Sequence, residues 1–372
     1  MAVNAMRVAA GEAQEALRAG WEAQRTGRMM AAWMLHGGPG VGKTQIVQQL
    51  AAELGARLFD LRLTTIEPQD LRGLPYYDHD SRKTLWYRPE DLPDDPATPS
   101  VLFLDELTAA APHLQPAVYG LLQERRVGPH RLPDSVFLVA AGNTVEDGAI
   151  AYEMGSALSD RLVHLHVQAS ATDWLENYAV PQGLHPAVVA FVRTRPDLLE
   201  TTAQTLDRGE MIAATPRSWE RVSRVLQAVP DRRLRRMMIA GTVGEAIAAE
   251  FAVVADDIAA TVRVGEMLAV AQKQRWEMYP ASMHGLHALV YGLIGALERE
   301  NVAAVCEVMA GLRSLPAERA ESAFARLPLA ELCTHGFELL LKKGLDRGLG
   351  PAFLSAPAYT AYAAERERLG LA

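Results

Sequence analysis

The chain has 372 residues, a formal net charge of −8 at pH 7 and two cysteines. Its hydrophobic content of 49% and charged content of 22% are ordinary for a globular protein, and its length allows two or three domains with sizeable cores. Two cysteines exclude a disulfide framework and fit a reducing cytoplasm, the net acidity argues against a nucleic-acid groove as the main working surface, and no apolar run suggests a signal peptide or a membrane span.

The first chemical motif is a glycine-rich loop that follows a short apolar strand. Residues 32–36 (AWMLH) predict a buried strand, and residues 37–44 (GGPGVGKT) fit the P-loop pattern G-x-x-x-x-G-K-T. The glycines let successive backbone N–H groups surround an anion, and the helix expected near residues 45–54 directs its positive end at the same place. The sequence therefore predicts a nucleoside triphosphate site formed by Gly37, Gly38, Pro39, Gly40, Val41, Gly42, Lys43 and Thr44, in which Lys43 reaches the β- and γ-phosphates and Thr44 binds Mg²⁺.

Two further features precede the next motif. A second strand is expected near residues 56–63. Six prolines between residues 66 and 100 predict an irregular connection, whose segment 88–99 is acidic and exposed.

The second motif is an apolar strand that ends in two acids. Residues 101–106 read VLFLDE, which predicts a buried parallel strand with carboxylates at its C-terminal tip, where open α/β sheets bind ligands. Asp105 is expected to hold the Mg²⁺ shell, and Glu106 to polarise the attacking water as general base. The alternative is a solvated acidic turn, and the presence of the P-loop favours the functional interpretation.

A third apolar strand ends in an amide. A helix over residues 115–123 and a tight turn or hairpin over residues 127–133 lead to the run VFLVAAGN at residues 136–143. The Asn143 amide both donates and accepts hydrogen bonds, so it suits the γ-phosphate and the nucleophilic water. By itself an asparagine in this position is usually a turn residue, and its weight comes from the two motifs before it.

These motifs, followed by SALSDRL at residues 156–162 and TPRSW at residues 215–219, resemble an AAA+ ATPase. Within that class the sequence is most similar to the MoxR branch, and the resemblance covers roughly residues 5–250. It implies a ring-forming ATPase, usually hexameric, that remodels or activates other proteins, often beside a partner that bears a von Willebrand factor A domain.

The resemblance also implies three residue roles. Asn143 matches the sensor-1 position, Arg161 matches the arginine finger that reaches a neighbouring subunit's nucleotide, and Arg217 matches the sensor-2 arginine of the lid. Thr215 is a fair N-cap and Pro216 suits a first helical position, so Arg217 is expected in a helix's first turn. The alternative for Arg161 is a surface cation paired with Asp160, and the alternative for Arg217 is a solvated helix residue.

The predicted fold class is α/β. A P-loop AAA+ nucleotide domain with a parallel sheet covers residues 1–168, a helical lid covers residues 169–255, and a helical C-terminal domain covers residues 256–372. Three further segments have open interpretations. Residues 71–77 are either a loop facing the ring pore or an ordinary surface loop, and the basic run 231–236 is either a solvated helix face or a binding surface. Arg125, Arg126 and Arg131 are candidates for contact with substrate or with a neighbouring subunit.

The predicted function is Mg²⁺-dependent ATP hydrolysis in the cytoplasm, coupled to work on a protein client by a homo-oligomeric ring, with nucleic acid and membrane not expected as partners. One alternative is a nucleic-acid-dependent NTPase motor, similar to the GTP-using ring subunit of modification-dependent restriction systems. The net acidity weighs against it. A second alternative is a nucleotide-gated scaffold that barely turns over, against which the presence of Glu106 and Asn143 argues.

Overall fold

A computed structural model of the chain describes residues 3–144, 156–319 and 323–370, which fall into two compact units. The first unit runs to Ser170 and takes in Thr202–Met211 and Thr215–Arg217, and the second holds Ala171–Thr201, Ile212–Ala214 and the chain from Ser218 onward. The predicted separation of a lid (residues 169–255) from a C-terminal domain (residues 256–372) stays a prediction.

A six-stranded parallel sheet lies at the centre of the first unit, as predicted for an α/β P-loop fold. In chain order its strands are β1 (Arg7–Val8), β2 (Ala32–His36), β3 (Arg57–Arg62), β6 (Ser100–Asp105), β9 (Val136–Gly142) and β10 (Leu162–Val167). In space their order is β1-β10-β2-β9-β6-β3, so the strands that end in the P-loop, in the two acids and in the amide lie near one another. The predictions for β2, β3, β6 and β9 agree with the structure to within one residue at each end, whereas β1 was not predicted.

The sheet is buried on both faces because its central strands are apolar on both sides. Along β6, Leu102 and Leu104 belong to one hydrophobic cluster, whereas Val101 and Phe103 belong to another. The helices of this unit are α1 (Ala10–Arg25), α2 (Lys43–Glu53), α3 (Pro68–Arg72), α4 (Gln115–Glu124), α5 (Ser156–Ser159), α8 (Thr202–Asp207) and the first residues of α9 (Pro216–Ala228). Residues of α4 pack into the first cluster and residues of α1 and α2 pack into the second, which gives the three layers of an open α/β fold.

The segment between residues 66 and 100 is more regular than predicted. It contains α3 and an antiparallel hairpin of β4 (Pro75–Asp78) and β5 (Lys83–Trp86). The rings of Tyr76 and Tyr87 stack at 4.3 Å, and the Arg72 guanidinium lies 4.1 Å from the centre of the Trp86 ring. Two of the six prolines occupy positions that regular structure tolerates, because Pro68 begins a helix and Pro75 begins a strand.

The predicted hairpin after α4 is present as β7 (Arg126–Val127) and β8 (His130–Arg131). Arg125 ends α4 with a φ of +54°, and its side chain is buried. Its Nη2 donates hydrogen bonds to the carbonyl oxygen of Pro133, at 3.0 Å, and to that of Val136. The prediction that Arg125 contacts substrate or a neighbouring subunit is therefore wrong, because its hydrogen bonds hold the hairpin to the start of β9. The exposed Arg126 and Arg131 keep that candidate role.

The described part of the second unit is helical. Its main helices are α6 (Ala171–Trp174), α7 (Pro186–Thr194), the rest of α9, α10 (Arg232–Val243), α11 (Glu245–Thr261), α12 (Val264–Ala269), α13 (Gln272–Arg275), α14 (Met283–Gly295), α15 (Val302–Gly311), α16 (Leu315–Glu318), α17 (Leu329–Asp346), α18 (Gly350–Leu354) and α19 (Pro357–Arg368). Every residue of α14 from Gly285 to Ile294 is buried, so this helix is the centre of the unit and has no solvent-facing side. Within the described ranges, no helix is both long enough and apolar enough to cross a membrane.

Candidate active site

The P-loop follows β2 and ends where α2 begins at Lys43. Three of its glycines adopt backbone conformations that other residues rarely reach, since φ is +149° at Gly37, +80° at Gly40 and +104° at Gly42. A Cβ atom on Gly40 would lie 2.7 Å from the Thr215 hydroxyl oxygen, too close for any real contact. The loop therefore requires glycine at these positions, and it presents backbone N–H groups at the N-terminus of α2.

Lys43 is the most heavily bonded residue of the loop. Its side chain is buried, and its Nζ donates hydrogen bonds to the carbonyl oxygens of Gly37 (2.7 Å) and Gly38 (2.9 Å). It also donates to the Oδ1 of Asn143 over 2.8 Å. An ammonium group has three donors and no acceptor, so these bonds satisfy it and place the lysine between the loop and the end of β9.

Thr44 and Asp105, the two predicted Mg²⁺ residues, are in direct contact. The Thr44 hydroxyl donates to Asp105 Oδ2 over 3.1 Å, and Asp105 Oδ1 accepts from the Glu106 backbone N–H at 2.9 Å. A carboxylate offers about four lone-pair sites, so Asp105 retains acceptor capacity. Burial, and next the charge of Asp105, raise the pKa of Asp60 on β3, whereas the charge of Arg62 lowers it.

Glu106 follows β6 directly and has a left-handed backbone with a φ of +60°. Its carboxylate accepts a hydrogen bond from the Thr64 hydroxyl, and its Oε1 lies 3.8 Å from Arg62 Nε. Both partners lie at the end of β3, the neighbouring strand, where Arg62 is paired in register with Asp105. The candidate base is thus turned toward β3 and held there by a hydroxyl and a cation.

The two predicted arginines lie in different places relative to the loop. Arg217 is in the first turn of α9, and a Cβ atom on Gly40 would lie 3.4 Å from the Arg217 Cβ, so the structure brings Arg217 to the P-loop. Arg161 precedes β10, whose first residue pairs with Ala32 at the opposite end of β2 from the loop. Arg161 is therefore six residues of strand away from the level of the P-loop, a distance of roughly 20 Å, which is farther than an arginine side chain extends. The exposed Arg161 therefore does not join its own P-loop.

Three contacts of this site involve residues that the motifs do not identify. Thr64 and Arg62 hold Glu106, and the Thr108 hydroxyl donates to the Asn143 backbone oxygen over 2.8 Å. Arg62 and Thr64 could have been expected near Glu106 from their position alone, because they lie at the end of the predicted second strand and the carboxyl ends of parallel strands share one edge of the sheet.

Comparison with known proteins finds similarity over the part of the chain that contains most of this site. Residues 32–162 match the family model for an AAA domain of the dynein-related subfamily. Among curated proteins the chain is similar to ATPase family gene 2 protein homolog B from Mus musculus (36% identical over 115 residues) and from Bos taurus (35% over 115 residues). The match covers 31% of this chain and 13% of the mouse protein, so the chain spans only a small part of these relatives.

Solved structures with a similar fold include a RuvB variant from Thermotoga maritima, with 15% sequence identity and a TM-score of 0.34, covering 91% of this chain and 89% of that one. A closed-state Hsp104 complex with ATPγS and FITC casein has 14% identity and a TM-score of 0.35, covering 63% of this chain and 44% of that one. A putative ATPase from Cytophaga hutchinsonii has 18% identity and a TM-score of 0.30, with 64% and 83% of the two chains covered.

Proposed function

We propose that this chain, whose residues 32–162 form an AAA domain, hydrolyses ATP in a Mg²⁺-dependent manner and uses the energy to remodel or activate a protein client. The observation that carries the proposal is the contact between the Thr44 hydroxyl and the Asp105 carboxylate. It joins the phosphate-binding loop to the strand that supplies a metal ligand and a base. A P-loop without an acidic strand tip beside it would support binding alone.

The residues present fit a nucleoside triphosphate with its metal. Glycines of the loop leave room that a Cβ would fill, Lys43 supplies one positive charge, and the Thr44–Asp105 pair is the hydroxyl-plus-carboxylate set that Mg²⁺ accepts together with phosphate oxygens. When bound there, Mg²⁺ would neutralise charge on the phosphates. The chain's own contribution is to orient the phosphates with its backbone N–H groups and to bring Lys43 against them.

Glu106 and Asn143 would act on the attacking water. Glu106 is the base that takes its proton, and while its carboxylate is bonded to Thr64 and faces Arg62 it is turned toward β3. Asn143 can orient the water once Lys43 turns from the Asn143 amide to a phosphate. Arg217 in α9 would add a second cation beside the loop.

The remaining cation would come from a second subunit, which is why we propose a ring, most simply a MoxR-like hexamer. Arg161 lies at the far end of β2 from its own loop and is exposed, which suits a residue that completes a neighbour's site. A client or a partner bearing a von Willebrand factor A domain is part of this proposal, and so is a cytoplasmic location.

Lys43→Ala tests the ATPase directly. Steady-state phosphate release and binding of a fluorescent ATP analogue should both fall to background, while Lys83→Ala, a substitution of an exposed hairpin lysine, should leave both unchanged. Turnover close to wild type in Lys43→Ala would remove the P-loop from the mechanism. Binding without any turnover in the wild-type protein would favour a nucleotide-gated scaffold.

A nucleic-acid-dependent motor is the second candidate, and one observation favours it. Helix α10 begins with four exposed or half-exposed arginines, at residues 232, 233, 235 and 236. In that case duplex DNA or RNA should stimulate ATP hydrolysis strongly, and the stimulation should decline steeply between 50 and 200 mM salt. Under the protein-client proposal nucleic acid leaves the rate unchanged at physiological salt.

A further inference from the structure

A cavity of about 240 Å³ lies in the second unit between α10 and α11, and the ATPase site proposed above uses none of its residues. Its apolar floor includes Ile239 and Phe251, which are 6% and 1% exposed. His185, at the start of α7, and Leu226 of α9 complete one side.

The cavity exists because α11 places small residues on the side that faces it. Ala248, Ala252, Ala255 and Ala259 line it at offsets of 0, 4, 7 and 11, which is one face of a helix. The long arginine side chains of α10 keep the two helices apart, and the methyl groups of the α11 alanines are too small to fill the space between them. Cores are normally packed without such voids, so a lined, open cavity here indicates space kept for a ligand.

The opposite wall is cationic. Arg232, Arg235 and Arg236 line the cavity from α10 at offsets of 0, 3 and 4. Arg232 is paired with Asp256 at the edge, but among the described residues Arg235 and Arg236 have no ion pair. The Nε of Arg235 is buried, with no hydrogen-bond partner in the described part of the chain. A buried donor without an acceptor is costly, and a carboxylate ligand would satisfy it.

His185 does not add to this positive charge. Burial, and next the charge of Arg235, lower the pKa of His185, which favours the neutral imidazole. Its Nδ1 accepts a hydrogen bond from the Ala187 backbone N–H at 3.2 Å, which leaves the proton on Nε2. The charge that a ligand would meet is therefore that of the arginines.

Apolar surface continues outside the cavity. On α10 the side chains of Leu234, Met237 and Met238 are 44%, 61% and 48% exposed, and Val253 at the cavity lining is 71% exposed. Flexible methionines beside arginines are typical of surfaces that bind protein segments. The cavity volume is below the 300–1,000 Å³ or so of small-molecule pockets and is of the order of one or two side chains.

We propose that the groove of α10 and α11 binds an acidic segment of a partner protein. One apolar side chain of that segment fills the cavity over the alanine face, and neighbouring carboxylates pair with Arg235 and Arg236. The site is independent of the proposed ATPase, because it involves no residue of the P-loop or of the acidic strand tip.

The test is to pan a phage library of random 12-residue peptides on the full-length chain without nucleotide. Enriched peptides should combine Asp or Glu with a Leu, Ile, Phe or Met. A fluorescein-labelled peptide from that selection should bind at least ten-fold more weakly to the double variant Arg235→Ala, Arg236→Ala and to Ala252→Leu, which fills the cavity without changing its charge. Arg233→Ala is the matched control, since Arg233 is on the same helix and does not line the cavity. Circular dichroism verifies that each variant is folded. If Ala252→Leu does not fold, peptide binding to the arginine double variant alone tests the proposal.

Enrichment of basic peptides, or acidic peptides whose binding is equal in the wild type and the arginine variant, would overturn the proposal. Displacement of the labelled peptide by a 20-base-pair DNA duplex at 150 mM salt, with tighter binding than the peptide, would assign the surface to nucleic acid instead. A change in oligomeric state in Ala252→Leu, measured by light scattering, would mean that a second copy of the chain occupies the groove. Because none of these measurements uses ATP turnover, failure of the ATPase proposal and failure of this one are separate results.

Discussion

The ammonium group of Lys43 donates a hydrogen bond to the side-chain oxygen of Asn143 over 2.8 Å. This bond joins the loop after β2 to the end of β9, and it occupies both groups that are expected to contact a γ-phosphate. Nucleotide binding must therefore exchange the bond for contacts with phosphate oxygens. The free energy that Lys43 contributes to nucleotide binding is the difference between its interaction with phosphate and its interaction with Asn143. A side chain that binds Lys43 more strongly in the nucleotide-free protein should therefore weaken nucleotide binding.

Asn143→Asp tests this competition. A carboxylate at the same distance would pair with Lys43, which should stabilise the nucleotide-free protein and repel the phosphates. We expect ATP affinity to fall at least ten-fold and the thermal midpoint without nucleotide to rise. Asn143→Ala, which removes the partner without adding charge, should bind ATP within a few-fold of wild type and hydrolyse it slowly. Equal ATP affinities in the Asp and Ala variants would mean that Lys43 does not have to exchange partners.

Glu106→Gln separates binding from hydrolysis. The amide keeps the shape and can still interact with Thr64, but it cannot take a proton from water. ATP should bind normally and phosphate release should fall by about a hundredfold or more. Binding is followed by fluorescence of an ATP analogue and turnover by released phosphate. Loss of ATP binding in this variant would assign Glu106 a structural role at its left-handed position.

Arg125 is predicted to stabilise the fold and to have no part in catalysis. Arg125→Gly keeps the positive φ that α4 needs at its end, but it removes the charged donor from the carbonyl oxygens of Pro133 and Val136. Each oxygen keeps one other donor, the Val136 backbone N–H for Pro133 and the Gln24 side-chain amide for Val136. The free energy of unfolding should fall by about 1–3 kcal/mol, whereas Arg126→Ala on the exposed hairpin should change it by about 0.5 kcal/mol or less. Urea unfolding measures both. Unchanged stability with lost ATPase activity in Arg125→Gly would restore its original candidate role.

Strands with a local sequence pattern were predictable, whereas contacts between residues distant in sequence were not. The runs 32–36 and 136–142 are continuous and apolar, so each strand was predictable without its neighbours. The sequence gives no sign that Arg125 is buried, because its acceptors lie eight and eleven residues further on. Thr64 contacts Glu106 across 42 residues, and no motif includes it. The hairpin at residues 75–86 was missed because prolines indicate turns, whereas here one of them begins a strand.

Stability should also depend on pH through a buried histidine of the second unit. Burial, followed by the charge of Arg193 and the nearby His335 and His284, lowers the pKa of His287 to about 4. Because its folded pKa lies below the unfolded value near 6.5, its contribution is complete above pH 6.5 and is lost as the pH falls toward 4, by about 3 kcal/mol at most. His287→Leu should flatten the pH dependence of urea unfolding between pH 4.5 and 7. The pKa of His335 is also lowered, so some of the dependence should remain. An unchanged profile would mean that folding does not lower the pKa of His287.

The last prediction concerns Arg161 and the proposed ring. An arginine that stabilises charge on a neighbour's γ-phosphate can contribute about 10³-fold or more to the rate. Arg161 lies roughly 20 Å from its own loop by strand register, so we expect any catalytic role of Arg161 to be at another subunit's site. We expect Arg161→Ala to bind ATP without hydrolysing it, and Lys43→Ala to carry an intact arginine without binding ATP.

When the two variants are mixed, some interfaces should pair a competent P-loop with an intact Arg161. Phosphate release from the mixture should therefore exceed that of either variant alone, and light scattering should show that mixed assemblies form. The matched control is Arg25→Ala mixed with Lys43→Ala, because Arg25 is an exposed arginine at the end of α1 with no proposed role in the site, and its variant should be active without mixing. If mixed assemblies form and no activity returns, Arg161 does not act on a neighbouring site, and Arg126 and Arg131 become the next candidates to test.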